Sequence, residues 1–188
     1  MRNRSVLGTC VFLSALLGLA GCYPIKQTYF TPSAPTGITL PNYCHQQIGP
    51  RGTVNLKLHD MNLSVTMSLE PYYLVVTAYE INQDEVLFGP EPFVISSRQG
   101  SREIVPTTTY ELEHTPRLYH SRLLQYEDGI RLHAGKRYQF IFKELMIAED
   151  QFTFAIPPFV TRAGKIEIPI ITFTKITEWR MDPVVLNC

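Results

Sequence analysis

The sequence predicts a mainly β protein, an antiparallel β-sandwich (Ig-like or similar) with one short crossover helix. Three observations carry this. Beyond residue 52 apolar and polar side chains alternate with a period of two, the mark of strands with one buried face. Turn residues recur roughly every eight to twelve positions, as in sandwiches. The strand-length runs also lack the intervening helical segments that a parallel sheet requires. A closed barrel is the alternative arrangement of the same strands.

Val54, Leu56 and Leu58 alternate with Asn55, Lys57 and His59, and Leu63, Val65, Met67 and Leu69 alternate with Asn62, Ser64, Thr66 and Ser68. The polar break between the two runs makes them a hairpin. Tyr72 to Ile81 is nearly continuous, as expected of a central strand covered on both sides. After a turn at Asn82 to Glu85, the run Val86 to Ile95 is interrupted by Gly89, Pro90 and Pro92, which makes it an edge or an irregular strand. Ser96 to Arg102 reads as a polar loop and Thr107 to Glu113 as a strand. Thr115 then suits a helix cap, with Pro116 at the first helical position, Tyr119, Leu123 and Tyr126 at helical spacing and Gly129 past the end. A helix is therefore predicted from Pro116 to about Tyr126. Ile130 and Leu132 resume the alternation, Ala134-Gly135-Lys136 forms a tight turn, and Tyr138, Phe140 and Phe142 share one face. Phe152, Phe154 and Ile156 follow until Pro157-Pro158 stops the strand. The final strands fall between Lys165 and Thr177, interrupted by Pro169.

The first 22 residues, MRNRSVLGTCVFLSALLGLAGC, have a basic head (Arg2, Arg4) and then 15 uncharged residues from Val6 to Ala20. A membrane span needs roughly 20, so the layout is that of a secretory signal. Leu19-Ala20-Gly21-Cys22 resembles the lipobox of bacterial lipoproteins. The resemblance implies cleavage before Cys22 and diacylation and N-acylation of that residue. It implies membrane attachment through the N-terminal lipid and, with Tyr23 rather than Asp next in line, an outer-membrane address facing the periplasm. The expected organisation is a signal peptide over 1–21, a Pro-rich tether over 22–41 (Pro24, Pro32, Pro35, Pro41) and a single sandwich domain over 42–188. In the other reading of the tether, Gly37 to Pro41 adds an edge strand.

Loss of Arg2 and Arg4 with the first 21 residues leaves 15 basic against 17 acidic side chains in a mature chain of 167 residues. That balance gives no electrostatic reason to expect nucleic acid or an anionic lipid face as a partner. Of four cysteines, Cys10 leaves with the signal and Cys22 takes the lipid. Cys44 and Cys188 are then expected to pair in an exported, disulfide-permissive compartment, the alternatives being two free thiols or an intermolecular bridge.

The chain contains no GxSxG, P-loop, GxGxxG or HExxH string. His114, His120 and His133 are spaced unlike any recurrent zinc ligand set, and neither a metal nor a cofactor is expected. Glu111 and Glu113 share a strand face at about 7 Å, a separation open to paired carboxylates. Tyr110, His114, Arg117, Tyr119, His120 and Arg122 are residue types favoured at interfaces and form a candidate interaction patch. Trp179 is expected as a core or rim aromatic. The function these features suggest is a lipid-anchored, non-catalytic binding or assembly module with an envelope protein as partner. The alternatives are a periplasmic hydrolase built from scattered carboxylates and an inhibitor or immunity-type lipoprotein presenting Ser96 to Arg102.

Overall fold

The computed structural model describes residues 22–40, 43–44, 47–48, 52–59, 61–67, 73–82, 86–89, 91–114, 119–126, 129–143, 145, 147–162 and 164–183. In chain order the strands are β1 (Cys22–Ser33), β2 (Gly37–Leu40), β3 (Tyr43–Cys44), β4 (Gln47–Ile48), β5 (Thr53–Lys57), β6 (Asn62–Met67), β7 (Leu74–Tyr79), β8 (Val86–Phe88) and β9 (Phe93–Ser97). They continue as β10 (Gly100–Ile104), β11 (Thr108–His114), β12 (Tyr119–Leu124), β13 (Ile130–Leu132), β14 (Arg137–Phe142), β15 (Gln151–Ala155), β16 (Phe159–Thr161), β17 (Gly164–Ile166) and β18 (Ile171–Pro183). The chain forms two compact units. One is Tyr29–Ile176; the described part of the other is a ribbon of β1 up to Thr28 and β18 from Thr177.

Within the larger unit the fold is all-β and antiparallel, consistent with a sandwich. A seven-stranded sheet runs β12-β11-β14-β7-β6-β5-β2 and a five-stranded sheet runs β1-β18-β15-β9-β10, with a four-stranded sheet β13-β8-β16-β17 beside them. The alternation predicted this directly: Val54, Leu56, Leu63, Val65, Met67, Leu74, Val76 and Ala78 are all buried, and the residues between them along each strand are not. β7 is the fourth of seven strands, yet Val75, Thr77 and Tyr79 stay partly exposed, so the run that reads as covered on both sides is covered on one.

The core is aromatic. The chain has ten phenylalanines, and the nine beyond residue 22 are all buried. Phe88 of the four-stranded sheet stacks on Phe159 at 4.5 Å and meets Phe93 of the five-stranded sheet at 5.2 Å and Phe140 of the seven-stranded sheet at 4.7 Å. Phe142 meets Phe93 at 4.7 Å and Phe154 at 5.7 Å across the two larger sheets. Such pairs contribute about 0.5–1.5 kcal/mol each beyond the area they bury. The interruption at Gly89, Pro90 and Pro92 separates β8 from β9, and the two strands belong to different sheets.

Two predicted elements are corrected. The helix expected from Pro116 to Tyr126 is absent where the chain is described, because Tyr119–Leu124 is β12, paired with β11 through Tyr110↔Leu123 and Glu111↔Arg122. The edge of β11 takes up the backbone groups of this segment. Leu124 and Tyr126, two apart, pack on the core, whereas Leu123 of the supposed helical stripe is 66% exposed. The predicted tether is likewise strand over Cys22–Ser33 and Gly37–Leu40. β1 and β2 are both edge strands, where a proline without an N–H leaves no ladder bond unmade, so Pro24 and Pro32 are tolerated. The alternative reading of an added edge strand near Gly37 describes β2. Cys44 lies in β3, Cys188 lies outside the described residues, and no disulfide is present among those described.

Gly135 occupies the expected turn with φ +74°, a conformation side chains disfavour, and its N–H donates to the Ile81 carbonyl at 3.3 Å. Gly37 is required for a different reason. A Cβ there would lie 2.5 Å from Val54 Cγ2 and 3.0 Å from Leu56 Cδ2, both on buried side chains. Gly37→Ala is expected to destabilise the domain by about 1–3 kcal/mol through overpacking, read as a lower urea midpoint with unchanged slope.

Candidate functional site

Because β9, β15 and β18 each commit one face to the core through Phe93, Phe152, Phe154 and Phe173, the residues between them face outward, and here they are hydroxylic. The register Thr172↔Thr153, Thr153↔Ser96 and Ser96↔Ser101 sets four hydroxyl side chains abreast across β18, β15, β9 and β10. Neighbouring strands are about 4.8 Å apart, so the row repeats at that spacing. Thr174↔Gln151 forms a second polar pair beside it. Ser101 Oγ donates to Ser96 Oγ at 2.8 Å, and Thr153 Oγ1 donates to the Ser96 carbonyl at 3.4 Å.

An open groove of about 790 Å³ lies on this face, lined by Ser96, Thr153, Thr172 and Thr174 together with Arg98, Glu149, Asp150 and Lys175. Its carboxylates are already engaged. Ser97 Oγ donates to Glu149 at 2.8 Å, and Lys175 Nζ lies 3.4 Å from Asp150 Oδ1. The result is a surface of donors and acceptors in a fixed array with opposite charges at its margin, suited to holding an extended polar ligand by hydrogen bonds. At one side of it the predicted Ser96–Arg102 loop is the tight β9–β10 hairpin, with Arg98, Gln99, Gly100, Ser101 and Arg102 all exposed.

The predicted patch does not hold together as one surface. Tyr110 lies opposite Leu123 and Gln139, whereas Arg122 lies opposite Glu111, so strand alternation puts Tyr110 and Arg122 on opposite faces of the sheet. Arg117 and the side chains of His114, Tyr119 and His120 fall outside the described residues. Among the described residues no group of three His, Cys, Asp or Glu side chains is placed to share a metal ion. Glu111 and Glu113 do share a face, but each has its own partner: Tyr138 Oη donates to Glu111 at 3.2 Å and Lys136 Nζ pairs with Glu113 at 2.7 Å. Trp179 is not a core residue; its side chain is 71% exposed. The groove was missed because Ser96, Thr153 and Thr172 are remote in sequence. Its one sequence signal is the recurrence of Ser or Thr at the outward positions of three apolar-alternating strands.

No protein-family model matches the chain, and neither a curated protein nor a solved structure matches it.

Two phenols beside the core have displaced titrations. Burial pushes Tyr138 up to about 12, opposed by the hydrogen bond its oxygen accepts from the His133 N–H and reinforced by the Glu111 charge. Burial alone pushes Tyr126 up to about 12, and its hydroxyl donates to the Gly89 carbonyl at 3.0 Å. Both pKa values are raised above the unfolded value of 10.0, so the unfolded chain releases these protons first. The stability they contribute is full below pH 10 and is lost as pH rises through about 12. Urea midpoints measured across that window are expected to fall, and Tyr138→Phe is expected to flatten part of the slope.

Proposed function

We propose that this chain is a lipid-anchored protein of the bacterial envelope, attached through Cys22 and acting as a non-catalytic binding or assembly module for an envelope protein partner. The observation that carries the reading is the lipobox-like Leu19-Ala20-Gly21-Cys22 behind a basic head and a short uncharged run. More than one acyl chain on Cys22 would hold the protein at the membrane almost permanently. An outer-membrane address facing the periplasm follows from Tyr23, and the Cys44–Cys188 disulfide belongs to the same proposal.

The binding surface in this reading is the hydroxyl-lined groove, whose array of Ser and Thr side chains favours an extended polar segment of the partner. A second reading, an inhibitor or immunity-type lipoprotein, is favoured by one feature, the exposed β9–β10 hairpin with Arg98 in its turn and Arg102 farther along β10.

Cys22→Ser is expected to abolish incorporation of labelled fatty acid and to leave an unprocessed precursor; equal labelling of wild type and variant would overturn the anchor. The groove is tested separately. Thr153→Lys changes an outward side chain in the middle of the row, so it is expected to lose the partner recovered with the wild type from solubilised envelopes while keeping the wild-type melting transition. A folded variant that still recovers the partner removes the groove from the interface.

A further inference from the structure

The β1–β18 ribbon carries the chain's single tryptophan, 71% exposed. Thr28 Oγ1 and Thr177 Oγ1 lie 2.9 Å apart, and Ser33 Oγ donates to the Thr172 carbonyl at 3.4 Å. Numbers rise along β1 as they fall along β18, so the strands are antiparallel. The two bonded threonines share a face, and side chains two positions away return to it. Lys26 and Trp179 each stand two residues beyond that pair in the same direction, so they share the face at one level of the ribbon. Lys26 is also exposed.

Cys22 begins β1 in the same direction. At about 3.3 Å per residue it lies roughly 20 Å from Thr28 along the ribbon, and Trp179 roughly 7 Å from Thr177, which leaves about 13 Å between them. The polar layer on each side of a bilayer is roughly 5–8 Å deep. A ribbon leaning away from the membrane normal therefore brings Trp179 into that layer when Cys22 is at its base. Indole is the side chain best matched to this layer, with an apolar ring and one N–H donor, and a lysine beside it reaches lipid phosphates.

We propose that the Trp179–Lys26 face of the ribbon seats in the headgroup layer of the bilayer beside the lipid on Cys22. This rests on the lipid-anchor reading. The acyl chains supply the attachment, and the seated face sets how the ribbon lies. The test uses the mature lipidated chain reconstituted into phosphatidylcholine vesicles and recovered by flotation. Since Trp179 is the only tryptophan, all indole emission reports this site. Emission is expected to shift to shorter wavelength, to lose most of its intensity when the lipid chains are brominated, and to resist acrylamide. Protein that floats while its emission remains that of a water-exposed indole, open to acrylamide and indifferent to brominated lipid, overturns the seating and leaves the anchor standing. Protein that fails to float overturns the anchor, and the seating with it.

Discussion

The fold of the larger unit depends on the contact of Phe88 with Phe93, Phe140 and Phe159, because these rings come from three different sheets. None of the sheets can bury its apolar face alone. β8 is only three residues long, too short to be held by its ladder, so the rings fix its position. Tyr126 adds to this by packing on Phe88 at 6.1 Å while its hydroxyl holds the Gly89 carbonyl, at the start of the segment leading to the next sheet. Removal of the central ring would therefore loosen the junction between sheets more than any single sheet.

Once one face of a strand is given to the apolar core, the chemistry of the other face is free to vary. On the five-stranded sheet it is Ser and Thr, and these hydroxyls satisfy one another or nearby carbonyls while keeping capacity toward solvent. On the seven-stranded sheet Asn55, Ser64, Thr77, Gln139 and Tyr110 stand in register on the outer side. Both rows are uncharged, the second closing on exposed Leu123 and Ile38 at its two ends, and the charged groups of the groove stand at its margin. A surface of this kind selects ligands by hydrogen-bond geometry more than by net charge.

Most strands were legible because alternation is a direct consequence of having one covered face. The hairpin of β5 and β6, the strands near Tyr138 and Phe152 and the Ala134-Gly135-Lys136 turn all follow from it. The segment around Tyr119 is ambiguous in sequence because apolar residues at positions 119, 123 and 126 satisfy a helical period, while Leu124 and Tyr126 satisfy a strand period equally well. Only the waiting edge of β11 decides between them. The proline-rich start misled for a similar reason, since proline opposes an interior strand but not an edge. Neither the groove nor the splitting of Tyr110 from Arg122 could be read locally, because both depend on cross-strand register.

The long first strand also has a mechanical side. β1 has twelve residues, lies at the edge of its sheet and has β18 as its sole neighbour there. Ladder hydrogen bonds run perpendicular to the strands. With the membrane holding Cys22, as proposed, a pull along β1 would shear many of those bonds together, whereas a pull across it would peel them one at a time. The same attachment would then be strong toward a load along the strand and weak toward one that lifts it sideways.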